Sequence, residues 1–580
     1  MTRWKTAFEK WDSYQDLDPS LKEELNRMKE DEEALEDAFY QKLTFGTGGM
    51  RGILGPGINR MNMYTVRKAV NGLAEYLLIH CVNVKDRGVV VAYDSRYMSQ
   101  EFALETAKVL GAHGIKTYVF ESLRPTPLLS YAVRYLSTAA GIMITASHNP
   151  PEYNGFKVYN EDGGQFTPDE AVHIIDLIEQ TENELTIPVL EKESLEEKGL
   201  LEWIGNEIDH AYLEQLKQMS QMDTETLQEE KDLQIVFTPL HGTASKLVME
   251  GLAQLNFPHV DIVEEQAKPD PEFSTVESPN PEEHQAFKMA IALGKEKDAD
   301  ILLGTDPDAD RLGVAVKDTT GEYKVLTGNQ LGSLMLDYLL SQIDADVFKN
   351  GRMLKTIVTT ELGRAIADAH GVETVDVLTG FKYISEKIRQ YDATGETFIF
   401  GFEESYGYLI RSFVRDKDAV QAAVVATEMA DYWKKQGKTL LDALDLLYEK
   451  HGHYLEGLSS LTLKGREGSR KITAIMQEIR SNPLHEIAGL KVESVEDYLT
   501  SERIFMDHPE QKETIDLPQE DVVKFILEKE SWVCLRPSGT EPKIKCYYGV
   551  CGESKEESEQ SLAALQETMD QIMDDIIEKN

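Results

Sequence analysis

The sequence predicts an α/β chain: three successive mixed-sheet α/β domains, then a smaller α+β domain. Three observations carry this. Short apolar runs alternate with amphipathic stretches up to about residue 452, the rhythm of sheets with helices packed on their faces. The rhythm breaks in a Glu-rich stretch around Pro188. After residue 452 strands dominate and one helix closes the chain. A length of 580 residues accommodates roughly three to five such domains.

Taken in order, the first 45 residues read as acidic helix, because Leu21, Leu25 and Met28 recur at helical spacing among Glu and Lys. A glycine-dense loop follows, from Phe45 to Gly52. Val89–Tyr93, Lys116–Phe120 and Gly141–Thr145 are apolar enough for buried strands, and Glu101–Leu110 is an amphipathic helix. The second block has strands at Gln234–Thr238, Val260–Val263 and Ile301–Leu303, with helices near 245–255 and 283–295. The third has a helix near 329–342 and strands at Thr356–Thr359, Thr374–Val377 and Thr397–Phe400. The last carries strands near 459–464, 532–535 and 544–550 and a helix from about 555. Domains are accordingly drawn at 1–207, 208–325, 326–452 and 453–580.

Charge narrows the function. Sixty Lys and Arg against 102 Asp and Glu give a net charge of −42. Such a chain repels nucleic acid and anionic membrane surfaces, so neither is expected as a partner. A site for a phosphorylated metabolite would need a local island of cations. Cys81, Cys534, Cys546 and Cys551 form neither a disulfide scaffold nor a CxxC zinc pair. The N-terminus shows charge before any apolar run, and no stretch approaches the ~18 apolar residues of a membrane span. A reducing, cytoplasmic setting is expected.

Four loops carry chemistry. In Thr145-Ala-Ser-His-Asn-Pro-Pro151, after a strand, Ser147 sits at a loop tip where a hydroxyl can act as nucleophile or carry a phosphoryl group. Thr145 and Asn149 stand where a GxSxG elbow needs glycine, so a hydrolase elbow is rejected. The plain alternative is a Ser/Asn turn before proline. Adjacent side chains usually diverge, which makes His148 a poor direct base for Ser147. Lys157, ten residues on, can return to the same site. In Gly304-Thr-Asp-Pro-Asp-Ala-Asp-Arg311 the alternation of Asp306, Asp308 and Asp310 puts three carboxylates on one side of an extended loop. They repel unless a cation sits among them, and an all-oxygen set suits Mg²⁺, Mn²⁺ or Ca²⁺. An EF-hand fails at Arg311 and Lys317, where Gly and Glu are required.

In Gly401-Phe-Glu-Glu-Ser-Tyr-Gly407, Glu403 and Ser405 share one side if the stretch is extended, which suits vicinal sugar hydroxyls. In Arg536-Pro-Ser-Gly-Thr-Glu-Pro-Lys543, two cations, two hydroxyls and a glycine-freed backbone resemble a phosphate cradle. No Walker loop competes: Gly437-Lys-Thr439 has Tyr432 in place of the first glycine. Each loop alone could be a solvated turn. The set is more telling, since independent turns rarely supply a hydroxyl, a metal site, a sugar contact and a phosphate grip together.

In family order, the four loops resemble those of the α-D-phosphohexomutase superfamily. Gly49-Met-Arg-Gly52, Tyr93-Asp-Ser-Arg96, Thr238-Pro-Leu-His-Gly242, Thr379-Gly-Phe-Lys382 and Arg415-Asp-Lys-Asp-Ala419 are lesser matches. The resemblance implies four domains around a central cleft, three of them related, and transfer of a phosphoryl group between O1 and O6 of a hexose. It implies that Ser147 carries phosphate and, with Asp306, Asp308 and Asp310, holds one Mg²⁺ per subunit. It places Arg51, His148 and Lys157 in proton handling. It assigns substrate binding to Arg311, Thr379, Gly380, Lys382, Glu403, Ser405 and Lys417, and phosphate binding to Arg536, Ser538, Gly539, Thr540 and Lys543. Glucose 1,6-bisphosphate would be intermediate and activator, and small-molecule sugar phosphates the partners.

Within the superfamily, Glu403-Glu-Ser-Tyr406 and the Lys417-Asp-Ala419 segment resemble the branch of bacterial α-phosphoglucomutases and phosphopentomutases. Glucose is the expected sugar and pentose the alternative. Gly407 stands where some mannose-accepting members carry histidine, which weakens a mannose role. Two other classes compete. A haloacid dehalogenase-type phosphatase wants Thr or Val where Asp310 stands. A non-catalytic phosphosugar sensor could dispense with Ser147 or the aspartates, yet all are present.

Overall fold

The computed structural model describes residues 3–46, 48–222, 226–227, 229–342, 349–463, 465–538 and 543–579. They form two compact units: Met1–Gly328, Phe381–Gly401 and Ser405–Thr439 make one, and Asn329–Gly380, Phe402–Glu404 and Leu440–Asn580 the other.

The first unit opens with three helices, Arg3–Ser13, Pro19–Met28 and Glu32–Phe39, where periodicity suggested one acidic helix. The cause is local. Asp18 accepts from the amides of Ser20 and Leu21, and Asp31 from those of Glu33 and Ala34, so each aspartate starts a new helix. Trp11 anchors them, packing edge-to-face on Phe39 and Tyr64 at 5.9 and 5.4 Å.

The first sheet comprises β1 (Gly49–Ile53), β2 (Val89–Tyr93), β3 (Thr117–Phe120), β4 (Ala140–Ile144), β5 (Tyr153–Tyr159) and β6 (Leu201–Ile204), ordered β1-β5-β4-β2-β3-β6. β4, β2, β3 and β6 run parallel; β5 runs antiparallel to β4, and β1, antiparallel to β5, returns to the direction of the other four. Two expectations are corrected here. Half of the predicted glycine loop is the edge strand β1, because its glycines let the backbone press against β5: a Cβ on Gly49 would lie 1.9 Å from the Phe156 carbonyl oxygen. The Glu-rich break also hides structure, since Lys192–Glu197 is helical and β6 completes the sheet. The core beneath is built from Val89, Val91, Ile142, Ile144, Phe156 and Val158.

The second sheet follows in the same unit: β7 (Ile235–Thr238), β8 (Val260–Ile262), β9 (Ile301–Thr305), β10 (Leu312–Lys317) and β11 (Tyr323–Val325), ordered β11-β10-β9-β7-β8. β9 and β10 form an antiparallel pair around the three aspartates. The helix Ala419–Lys435 also belongs to this unit, capped by Asp418.

In the second unit β12 (Gly351–Thr356) pairs in parallel with β13 (Glu373–Val377). The sequence places this strand at Thr356–Thr359, but it ends at Thr356 and Ile357, Val358 and Thr359 turn, with Thr356 Oγ1 and Thr359 Oγ1 2.8 Å apart. Lys355 disguised the strand: it is fully buried and pairs with Glu361 at 2.9 Å and Asp376 at 3.0 Å. β14 (Thr397–Glu403) spans the unit boundary, and β15 (Gly407–Leu409) lies in the first unit.

The C-terminal sheet contains β16 (His453–Thr462), β17 (Glu486–Ile487), β18 (Leu490–Asp497), β19 (Glu502–Phe505), β20 (His508–Thr514), β21 (Val523–Leu527), β22 (Trp532–Pro537) and β23 (Lys543–Gly552). Its order is β16-β23-β22-β21-β18-β19-β20, with β17 beside β18. Helix Lys555–Lys579 packs Leu565 and Met569 into its core. β17 to β21 escaped the sequence reading; β20 left no apolar trace, since every residue of it is exposed. All four cysteines are free thiols. Among the described residues, no helix is long and apolar enough to cross a membrane.

Candidate active site

Ser147 follows β4 in a turn whose backbone is left-handed at the serine (φ +53°). Thr145 Oγ1 accepts the Ser147 amide at 2.8 Å and fixes that turn. The positive φ overturns the expected divergence of neighbours: His148 Nδ1 lies 3.1 Å from Ser147 Oγ. Ser147 Oγ also donates to Asp306 Oδ2 at 2.6 Å, across 159 residues of sequence.

Asp306, Asp308 and Asp310 lie between β9 and β10, with ligand oxygens within 4.8 Å of one another. They converge by a mechanism other than the expected extended loop. The segment is a turn with Ala309 at φ +54°, and Asp306 Oδ1 accepts the amides of Asp310 and Arg311 at 3.1 and 3.0 Å. Neighbours brace it. The Thr243 amide donates to the Pro307 carbonyl at 2.8 Å, and Thr126 bonds Asp308 through its amide (2.9 Å) and hydroxyl (3.0 Å). Only glycine fits at 242, where a Cβ would lie 2.4 Å from Pro307.

Two ammonium groups face the trio. Lys157 on β5 reaches Asp308 at 2.7 Å and Asp310 at 3.3 Å. Lys417 reaches Asp310 at 3.2 Å. Flanking aspartates position Lys417: Asp416 accepts from Tyr159 (2.9 Å) and Gln165 (3.0 Å), and Asp418 accepts from Tyr212 (2.7 Å). Arg311 pairs with Glu282. Arg51 on β1 donates to Asn149 in the serine loop at 2.8 Å.

The electrostatics are those of a crowded buried anion. Burial, then Asp308 and Asp310, push the Asp306 carboxyl well above the usual carboxylate range. Burial and Asp310 act to raise Asp308, yet Lys157 holds it below that range. Burial likewise opposes ionisation of Asp310, but Lys417 and Lys157 prevail. Burial, helped by Arg311, pushes His148 down to about 3, so its imidazole is neutral. Burial works against the charge on Lys157 as well, but Asp308 and Asp310 more than offset it and raise its pKa. Asp308 Oδ1 and Asp310 Oδ1 are buried without a hydrogen-bond partner. An all-oxygen trio with unused lone pairs and too little positive charge fits a hard divalent cation.

The remaining predicted residues distribute as follows. Lys382 lies in the first unit, its ammonium 5.0 Å from the Tyr383 ring centroid. Thr379, Gly380 and Glu403 lie in the second unit, and Ser405 in the first. The Glu403–Ser405 expectation is corrected: Glu403 ends β14, whereas Ser405 is in a turn, so no common strand face aligns them. Arg536 on β22 is held by Glu520 at 3.0 Å, and the Ser538 amide donates to the Lys543 carbonyl at 2.7 Å. Gly539 and Thr540 lie outside the described residues.

Arg96 is a residue the sequence reading left out of the site. Its guanidinium donates to the carbonyls of Ser147 (2.6 Å), Pro150 (2.8 Å) and Tyr153 (2.9 Å), and also to that of Asn149. Its signals were the Tyr93-Asp-Ser-Arg96 match and its position directly after a buried strand. Thr126 carried none. Arg96→Met is expected to lower kcat by about 100-fold through a displaced Ser147. It should also cost about 3 kcal/mol of stability by stranding buried carbonyls. Steady-state kinetics and urea unfolding check this; unchanged kcat would show that Arg96 does not position the loop.

A buried hydroxyl bonded to a cation-ready carboxylate trio, at the strand ends of two adjoining α/β sheets, defines a metal-assisted phosphoryl-transfer enzyme. Comparison with known proteins agrees. Family models described as phosphoglucomutase/phosphomannomutase match domain I at residues 42–185, domain II at 210–321, domain III at 327–451 and the C-terminal domain at 483–567. The chain belongs to the phosphoglucomutase/phosphomannomutase family. It is 44% identical over 511 residues to a phosphoglucomutase of Staphylococcus aureus (strain bovine RF122 / ET3-1), covering 88% of this chain and 90% of that one. The fold is similar to that of a putative phosphomannomutase from Thermus thermophilus (TM-score 0.67, 23% identity), covering 92% of this chain and 99% of that one. It is also similar to the open form of pp63/parafusin from Paramecium (TM-score 0.66, 17% identity), covering 92% and 95%.

Proposed function

We propose that this chain interconverts α-D-glucose 1-phosphate and glucose 6-phosphate through a phosphorylated Ser147 and a glucose 1,6-bisphosphate intermediate. One observation carries the reading: Ser147 Oγ sits 2.6 Å from Asp306 and 3.1 Å from a neutral His148. The first half-reaction breaks the Oγ–P bond of phosphoserine and forms a bond from sugar O6 to phosphorus; O6 gives up its proton and the departing Oγ takes one up. The bisphosphate then turns around. In the second half its O1–P bond breaks, Oγ attacks that phosphorus, and O1 leaves with a proton.

The side chains divide this work. While Ser147 is unphosphorylated its proton must leave as Oγ attacks, and the neutral His148 imidazole is placed to take it. Lys157 stays charged and balances the phosphoryl oxygens. Asp306, Asp308 and Asp310, with Ser147, would hold one Mg²⁺ per chain, which supplies withdrawal of charge from the transferring group. Arg51, Arg311, Lys382 and Lys417 add cations for an anionic substrate on a chain of net charge −42. Thr379, Gly380, Glu403 and Ser405 are assigned to the sugar, and Arg536, Ser538, Gly539, Thr540 and Lys543 to the phosphate not being transferred.

A coupled assay for glucose 6-phosphate, started with glucose 1-phosphate and a trace of bisphosphate, tests the activity. Ribose 1-phosphate and mannose 1-phosphate run beside it. Faster turnover of ribose 1-phosphate would make the chain a pentose enzyme. EDTA is expected to silence turnover and Mg²⁺ to restore it, and indifference to chelation would reject the metal role of the trio. Arg536→Ala should raise KM for both sugar phosphates about tenfold, since a charge-assisted phosphate contact is lost. An unchanged KM for either would contradict the phosphate grip.

A further inference from the structure

Arg311 belongs to the same turn as the three aspartates: its amide donates to Asp306 Oδ1 at 3.0 Å. Its guanidinium has two carboxylates within reach. Nη1 is paired with Glu282, while Nε stands 3.8 Å from Asp310 Oδ1. A hydrogen bond to that oxygen needs about 2.9 Å, so the guanidinium stops roughly 1 Å short of it.

The two oxygens of Asp310 differ. Oδ2 takes Lys157 at 3.3 Å and Lys417 at 3.2 Å. Oδ1 is buried and has no hydrogen-bond partner. It is the oxygen that Asp310 can offer to a metal. A guanidinium bonded there would use that lone pair and bring a third cation onto the same carboxylate.

Glu282 is anchored as a tether must be. Its amide donates to Asn280 Oδ1 at 3.2 Å, and the Glu283 amide donates to the Asn280 carbonyl at 3.0 Å. The Pro281 carbonyl presses on Gly313 of β10, and beyond it the fully buried Phe287 packs over the facing pair Gly304 and Gly313. The backbone at 282 is thereby fixed to the sheet that carries the trio, and the long, flexible Arg311 side chain is held from it.

We propose that Glu282 is a positioning residue: it tethers the Arg311 guanidinium and so keeps Asp310 Oδ1 open to a divalent cation. This role rests on the metal function proposed for the three aspartates. Without the tether Arg311 closes the remaining gap to Asp310 and competes with the metal for its oxygen.

Isothermal titration of the full chain with MgCl₂, in the absence of sugar phosphate, reads this without turnover. Wild type is expected to bind Mg²⁺ one-to-one. Glu282→Ala should weaken that binding by about tenfold or more, the usual scale for losing an outer partner of a metal ligand. Glu282 is 33% exposed, so the fold should tolerate the change, and a thermal melt on the same preparation checks it. Glu282→Gln repeats the comparison with the side-chain shape kept and should move the same way. Arg311→Ala removes the competitor and should bind Mg²⁺ at least as tightly as wild type. In that background Glu282→Ala should cost at most about threefold, because the two residues act as one unit. Wild-type Mg²⁺ affinity in both Glu282 variants overturns the tether. So does a loss of equal size with and without Arg311, which would be a plain charge effect. Wild type that takes up no Mg²⁺ would instead reject the metal role of the trio, and the tether with it.

Discussion

Ser147→Ala is expected to reduce interconversion by about 1,000-fold or more while leaving the chain folded, because it removes the atom that would carry the phosphoryl group. The fold should tolerate it. The turn is held by the Ser147 amide on Thr145 and by Arg96 on four carbonyls, contacts that alanine keeps. What is lost is the hydrogen bond to Asp306 and the contact with His148 Nδ1, each worth about 1 kcal/mol. Turnover and thermal unfolding measured on the same preparation separate the two effects. An alanine variant with wild-type turnover would end the phosphoserine mechanism.

Asp306→Asn should be comparably damaging, lowering kcat by about 1,000-fold. It replaces a carboxylate by an amide at the trio and faces the amide NH₂ toward Ser147 Oγ. Its Oδ1 can still accept from Asp310 and Arg311, so the turn persists. Stability should move the other way. Asp306 has a folded-state pKa raised by burial and by its two neighbours. Its contribution is therefore favourable at low pH, while the carboxyl is protonated, and is lost as pH rises through that folded pKa. Asparagine carries no such penalty, so in EDTA at neutral pH the variant should melt higher than wild type. Lower activity together with lower chelated stability would mean that Asp306 serves the fold rather than the metal.

Much of the strand framework was legible in sequence, for a physical reason. β2, β4, β7 and β9 are buried on both faces and therefore read as unbroken apolar runs. Elements that break this rule were missed. β12 contains the buried Lys355, whose charge is matched only in three dimensions. β20 is exposed throughout and leaves no apolar trace. The three N-terminal helices merged into one because an aspartate cap differs little, in a Glu-rich stretch, from one more acidic residue.

The candidate site divides along the same line. The strand-end placement of Ser147 and of the three aspartates follows from local pattern: apolar runs bury, and the polar residues after them emerge where a sheet ends. The reach from Ser147 to Asp306 was set by packing of one sheet beside the other. So was the pairing of Lys157 and Lys417 with the trio. A left-handed backbone at Ser147 turned His148 toward the hydroxyl. Burial then made that histidine neutral, while the neighbouring carboxylates kept the lysine charged, although both side chains touch the same cluster. Sequence alone determined which residue types stand at the ends of which strands, because an unbroken apolar run marks a buried strand in the local pattern itself. Only tertiary structure decided which charges meet and which proton each group holds, because Coulomb energy depends on distance and burial, and spacing in sequence measures neither.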